Sequence, residues 1–188
     1  MKTSIINTRT VLLFAMALLV ALTRLIPHPI NFAPLAAMAL FGGAYFSRRT
    51  TAVIVPLTAL WMSDLVINFS IYGRIVWIYE GFYWVYGSFI LIAGLGYLTL
   101  KKVKISRLIF ASISASALFF VVSNFGVWYS FGNPNFPSTV EGLLKCYIAG
   151  LPYFWNTLAG DLFYTTILFG SFEWAQLRFS KLKFSSVD

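Results

Sequence analysis

The sequence predicts an all-α membrane protein, a polytopic bundle of six transmembrane helices with both termini cytoplasmic. Three observations carry the prediction. Of 188 residues, 59% are hydrophobic and 11% charged, and mean hydropathy is +0.79; an ordinary soluble domain has about 45–50% apolar and about 25% charged residues. The length suits six helices of about 20 residues, the number that crosses a hydrocarbon core of roughly 30 Å, and little else. The third is the alternation of basic residues from one connection to the next.

The chain forms a single transmembrane domain, with spans placed at residues 10–26, 33–46, 51–69, 82–100, 108–128 and 149–171. The first follows Lys2 and Arg9 like a signal peptide, but no small-residue cleavage site closes it and it is long enough to span, so it is read as a retained helix. The second is short. Its 14 residues give about 21 Å of helix, so it is tilted, partly re-entrant or extended into its flanks. Arg48 and Arg49 follow it, Lys101, Lys102, Lys104 and Arg107 follow the fourth span, and Arg178, Lys181 and Lys183 follow the sixth. Of the 14 basic residues, only Arg24, Arg74 and Lys145 remain for the other side. The positive-inside rule then makes both termini cytoplasmic and the span number even. Tryptophans 61, 77, 84, 128, 155 and 174 fall mostly near span ends, as an interfacial belt requires.

Three external connections are elaborate while the cytoplasmic ones are short, which points to an external binding face. Residues 27–34 hold three prolines and form a stiff, non-helical turn. Residues 74–86 are aromatic. The last, from Ser130 to about Ile148, includes Gly132, Asn133, Pro134 and Pro137, then a short helix starting near Ser138 or Thr139, with Glu141 in the capping position for Ser138.

Function is read from the few polar residues inside the spans. Asp64 lies 15 residues after Arg49, about 22 Å up its helix, with Asn68 one turn further on the same face. Asn124 lies 17 residues after Arg107, about 26 Å up. Asn156 is near the outer end of the sixth span and Asp161 near mid-membrane, with Thr157 and Thr165 on its face. An intramembrane acid costs about 2.5–3.5 kcal/mol on insertion scales and faces a bundle interior or a wet cavity. These groups converge on the outer half, so the expected object is an outward-open, substrate-binding pocket of Asp64, Asn68, Asn124, Trp128, Asn156 and Asp161, with His28 and Asn31 from the first loop. Other readings stand beside it. Asp64 can pair with Arg24 and lock two helices, Asp161 can bond Thr165 or Asn156 or couple to protons, the asparagines can be interhelical hydrogen-bonding glue, and His28 can be a solvated loop residue. Ala17 and Ala21 form a small-residue pair suited to close helix approach, within this chain or with a partner.

Other classes are set aside. Neither a G-x-x-x-x-G-K-[ST] loop nor a G-x-G-x-x-G turn is present, so the chain has no ATPase motif. The charge of +8 reads as a topology signal rather than nucleic-acid binding. One cysteine, Cys146, and one histidine, His28, complete no metal ligand set, and no cofactor is expected. An intramembrane aspartyl hydrolase using Asp64 and Asp161 is a rival reading, but Leu158-Ala159-Gly160-Asp161 lacks the first glycine of the G-x-G-D signature. The protein is expected not to be an enzyme. A structural or assembly protein with no ligand is the second rival.

The stretches TRLIPHPINFAPLAAMALFGGAYF, LWMSDLVINF, SNFGVWYSFG and GLLKCYIAGLPYFWNTLAGDLFYTTILFG, spread over residues 23–170, resemble a family of uncharacterised bacterial inner-membrane transport proteins. That family is more distantly similar to the substrate-binding S components of energy-coupling factor transporters. The resemblance implies a six-helix S-component-like fold and capture of a vitamin-sized micronutrient for import. The implied partners are the small-molecule substrate, membrane lipid, and a transmembrane coupling subunit with its ATPases. The positions that match are residues 28–32, Ser63 and Asp64, residues 124–128, Asn156, Gly160 and Asp161. Ala17 and Ala21 resemble an alanine pair by which some S components contact the coupling subunit. Cobalamin-handling relatives carry a cobalt-coordinating cysteine after helix 2 or 3; this chain has none there, which counts against that substrate.

Overall fold

Apolar runs without water must satisfy their backbone internally, and here they do so as helices. The computed structural model describes residues 8–46, 48–130, 135–179 and 182. Lys2, Lys181 and Lys183 of the basic flanks, and Gly132, Asn133 and Pro134 of the last connection, lie outside the described residues. In chain order the elements are α1 (Thr8–Leu22) with a 3-10 turn (Thr23–Leu25), α2 (Leu35–Tyr45), α3 (Arg49–Tyr72), α4 (Phe82–Thr99), α5 (Ile105–Ser130) and α6 (Val140–Arg178).

Four of these are long and apolar enough to cross a membrane: α1 with its 3-10 turn, α3, α4 and α5. Between 22% and 39% of each apolar window is buried within the protein, so most of that surface is left for lipid. This is a membrane protein. The other two helices depart from the expected spans. α2 has 11 residues, about 16 Å, half a bilayer core. It is apolar all round and buried on every side except at Leu35 and Ala44, the pattern of a helix enclosed by others. α6 has 39 residues and absorbs the separate short helix expected after Ser138. The helix runs through Ala149-Gly150 without a break, and a Cβ on Gly150 would press on the Asn124 side chain of α5. Thr139, not Ser138, caps it, accepting from the Gly142 N–H at 3.1 Å. Glu141 instead pairs with Lys145 at 2.7 Å.

Glycines set how tightly α2 is enclosed. A Cβ on Gly96 of α4 would stand 2.7 Å from the Leu40 carbonyl oxygen, and one on Gly43 would stand 2.7 Å from the Tyr97 nitrogen. Backbone meets backbone there, which only small residues permit.

The helix ends group as the charge alternation predicts. Arg9 donates to the Tyr45 carbonyl at 3.0 Å and lies 5.7 Å over the Phe172 ring, while the Tyr45 hydroxyl donates to Glu173 at 2.5 Å. Arg49 lies 5.1 Å over the Tyr97 ring. Thus the starts of α1 and α3 and the ends of α2, α4 and α6 share one basic end, packed around Phe41, Tyr45, Phe169 and Phe172. At the opposite end the tryptophans use their N–H groups on the protein itself: Trp84 donates to Ser130 at 2.7 Å and Trp128 to the Pro137 carbonyl at 2.9 Å.

Candidate functional site

The site is built where the proline-rich segment descends along α6. Asn156 donates to the Ile30 carbonyl at 2.9 Å. Asn31 turns the chain with φ 64°, a left-handed conformation that asparagine tolerates better than most residues. One turn below Asn156, Gly160 leaves room for the Phe32–Ala33 backbone: a Cβ there would stand 2.9 Å from the Ala33 nitrogen. Next to it, Asp161 receives the Ala36 and Ala37 N–H groups. Residues 32–34 are therefore inserted against α6, while residues 27–31 stay exposed.

Those two N–H groups belong to the first turn of α2, whose flanking residue Pro34 offers no side-chain cap. Asp161 supplies the missing acceptor from another helix, and its ionised form sets a negative charge against the positive end of the α2 dipole. The Ser116 hydroxyl of α5 donates to the same carboxylate at 2.6 Å. Asp161 is 1% exposed.

A second network lies around Asp64. Arg24 reaches Asp64 Oδ1 and Ser63 Oγ, each at 2.6 Å, and the Tyr86 hydroxyl donates to Oδ2 at 2.8 Å. Tyr79, from the α3–α4 connection, also bonds Asp64; burial and the neighbouring carboxylate push its phenol above the usual tyrosine range, so it remains a donor. The Arg24–Asp64 pairing foreseen as one reading of Asp64 is present.

Between the networks is a cavity of about 260 Å³. Arg24, His28, Asn31, Thr157 and Asp161 provide its polar lining, and Phe89 and Phe119, stacked at 5.3 Å, an aromatic wall. Every helix contributes except α1, which sends Arg24 from the 3-10 turn that follows it. A neighbouring cavity of about 230 Å³ shares Asn31, Phe119 and Thr157 and adds Asn124, Phe120 and Tyr153. Both open beside the exposed Asn31.

Residues 4–182 match the family of unknown function DUF6580. The chain belongs to that family. No curated protein and no solved structure matched this DUF6580 chain.

The cavities redistribute the expected site. His28, Asn31 and Asp161 line the first and Asn124 the second. Asp64, Asn68, Trp128 and Asn156 line neither. Asp64 holds Arg24; Asn68 approaches the Val76 carbonyl at 3.5 Å; Trp128 and Asn156 hold external segments. The reason is helix rotation: equal depth does not bring residues to one face. Ala17 and Ala21, each 1% exposed, pack inside this chain and offer no partner surface. Asp161 bonds neither Thr165 nor Asn156; Thr165 Oγ1 is buried without a partner. Sequence reasoning missed Arg24, Phe89, Phe119 and Ser116 as site residues. Arg24 carried a signal, as the basic residue of the first span that breaks the cytoplasmic pattern.

Proposed function

We propose that the protein captures a small molecule from the outer side of a bacterial inner membrane for transport, as a six-crossing S-component-like subunit with both termini cytoplasmic. The observation that carries this reading is the pair of adjoining cavities sharing Asn31, Phe119 and Thr157. Each is slightly below the roughly 300–1,000 Å³ of a drug-sized site, and together they reach it. Aromatic walls with a few convergent polar groups suit a planar, micronutrient-sized ligand. Transport by this subunit needs an energising partner, a coupling subunit with ATPases being the candidate, because the sequence holds no nucleotide-binding loop. A hydrolytic dyad is disfavoured: Asp64 is engaged by Arg24 and Tyr86, Asp161 by Ser116 and the α2 N–H groups, and a shared-proton pair needs the two carboxylates in contact.

The test is mass spectrometry of small molecules extracted from gently purified protein, wild type against Thr157→Phe, which partly fills the space the two cavities share, at matched thermal stability. A compound enriched on wild type and lost from Thr157→Phe is the expected result. Wild type that carries nothing after growth in rich medium, or a compound retained equally by the filled variant, overturns the reading and favours an assembly role.

A further inference from the structure

Asp161 is a buried carboxylate whose described partners are all donors: the Ser116 hydroxyl and two backbone N–H groups. Among the described residues it forms no ion pair; Arg24 is held by Asp64 and Lys145 by Glu141. Such a group is expensive in hydrocarbon and marks a functional position by default. Its chemistry is decided by Ser116. That hydroxyl has one hydrogen and two acceptors in reach, Asp161 Oδ2 at 2.6 Å and the Ser112 carbonyl at 3.1 Å. With the carboxylate ionised, Ser116 donates to it. With the carboxyl protonated, its O–H donates to Ser116 Oγ and the serine hydrogen turns to the Ser112 carbonyl. The serine meets both states by turning its hydroxyl hydrogen alone.

The surroundings extend the track. α5 and α6 run antiparallel, as the Tyr147–Val121 and Ser116–Asp161 bonds show. One turn towards the basic end from each partner, Ser112 Oγ and Thr165 Oγ1 are buried with no hydrogen-bond partner. In the other direction Asp161 lines the first cavity, whose rim carries the exposed His28 and Asn31. Leu35 and Ala36, in the turn of α2 that Asp161 caps, form part of the same cavity wall.

We propose that Asp161 is a proton-binding site coupled to the cavity through the first turn of α2. One proton passes to the carboxylate from a hydronium ion in the cavity: the hydronium O–H bond breaks and leaves water as the carboxyl O–H bond forms, and the reverse transfer returns it. Ionised Asp161 holds the positive end of α2. Protonation removes that attraction and loosens the wall formed by Leu35 and Ala36. By linkage, an occupant that favours one wall position favours the matching protonation state. As a source of transport coupling this rests on the capture reading above; as a proton switch it does not. Of the groups around Asp161, α2 presents its first N–H groups with Leu35 and Ala36, α4 Phe89, α5 Ser116 and Phe119, and α6 Thr157, none of them charged. Across the cavity stand Ile67 of α3, Arg24 with Asp64 behind it, and His28. Among these His28 is the group a test must separate from Asp161.

The experiment places a reporter thiol at Leu35 (Leu35→Cys, with Cys146→Ala) in lipid nanodiscs and measures its reaction with a small methanethiosulfonate reagent across pH. Rates are normalised to the exposed Ser70→Cys. The normalised rate is expected to change about fivefold or more along a one-proton curve, to lose that dependence in Asp161→Asn, and to keep it in His28→Gln. A flat wild-type curve, or loss in His28→Gln alone, overturns the proposal. Should Asp161→Asn not fold, Ser116→Ala serves: its midpoint must shift, and an unchanged midpoint overturns the role given to Ser116. An infrared difference spectrum of wild type must gain a protonated-carboxyl band on acidification that moves with isotope-labelled aspartate; its absence overturns the site. None of these readouts uses a transported ligand, so their failure leaves capture standing, and failure of capture leaves them standing.

Discussion

Arg24 and Asp64 meet at 2.6 Å with side chains only 14% and 7% exposed, so each makes the other's burial tolerable. Removing one partner leaves an uncompensated charge, whereas removing both does not. Arg24→Met is therefore expected to destabilise the protein by about 3–5 kcal/mol, and Arg24→Met with Asp64→Leu to recover most of the loss. Thermal unfolding of the two single and one double variants checks this as a cycle; equal loss in the double variant contradicts it. Tyr79 adds an alkaline component. Its raised value contributes stability that is full below the ordinary tyrosine range and is lost as pH rises through the raised one. At this scale the sequence was half legible. An acid and an arginine at similar depth suggested the Asp64 pair, but the acceptor needed by α2 is a backbone feature with no residue code, so the partners of Asp161 could not be read.

At the scale of elements, α2 is the organising piece: a half-length helix capped by α6 and enclosed by α3, α4, α5 and α6. Its shortness was visible in the apolar run between Pro34 and Arg48, and a re-entrant element was among the alternatives. Its enclosure depends on Gly96, where a Cβ would press on the Leu40 backbone. Gly96→Val is expected to lower stability by at least about 1–3 kcal/mol, the usual cost of overpacking. Gly94→Ala, with open space around its Cβ position, is expected to leave thermal unfolding unchanged or slightly raised, since alanine favours helix. Similar losses in both would remove close backbone approach as the cause. α6 was read short at its outer end because the stretch from Ser130 to about Ile148 was assigned to an external connection with a short helix of its own; the Asn124 side chain next to which Gly150 lies is 26 positions earlier in sequence.

For the whole molecule, the grouping of Arg9, Arg49 and Lys101 at one end makes orientation testable. In intact cells with Cys146→Ala, an impermeant thiol reagent is expected to label Arg74→Cys and not Lys102→Cys, and to reach Lys102→Cys after permeabilisation. The opposite pattern reverses the orientation, and labelling of both in intact cells removes the proposed topology. Composition and charge alternation determined by themselves that this is a helical membrane protein, where its apolar helices lie, and which helix ends belong together, because solvent preference and the positive-inside rule act residue by residue. Only the tertiary structure decided which polar groups meet. The rotation of each helix about its axis, the descent of residues 27–34 along α6, and the capping of α2 by Asp161 arise from packing between segments far apart in sequence, such as Ile30 and Asn156, 126 positions apart, and hydrophobicity along the chain carries no record of that rotation.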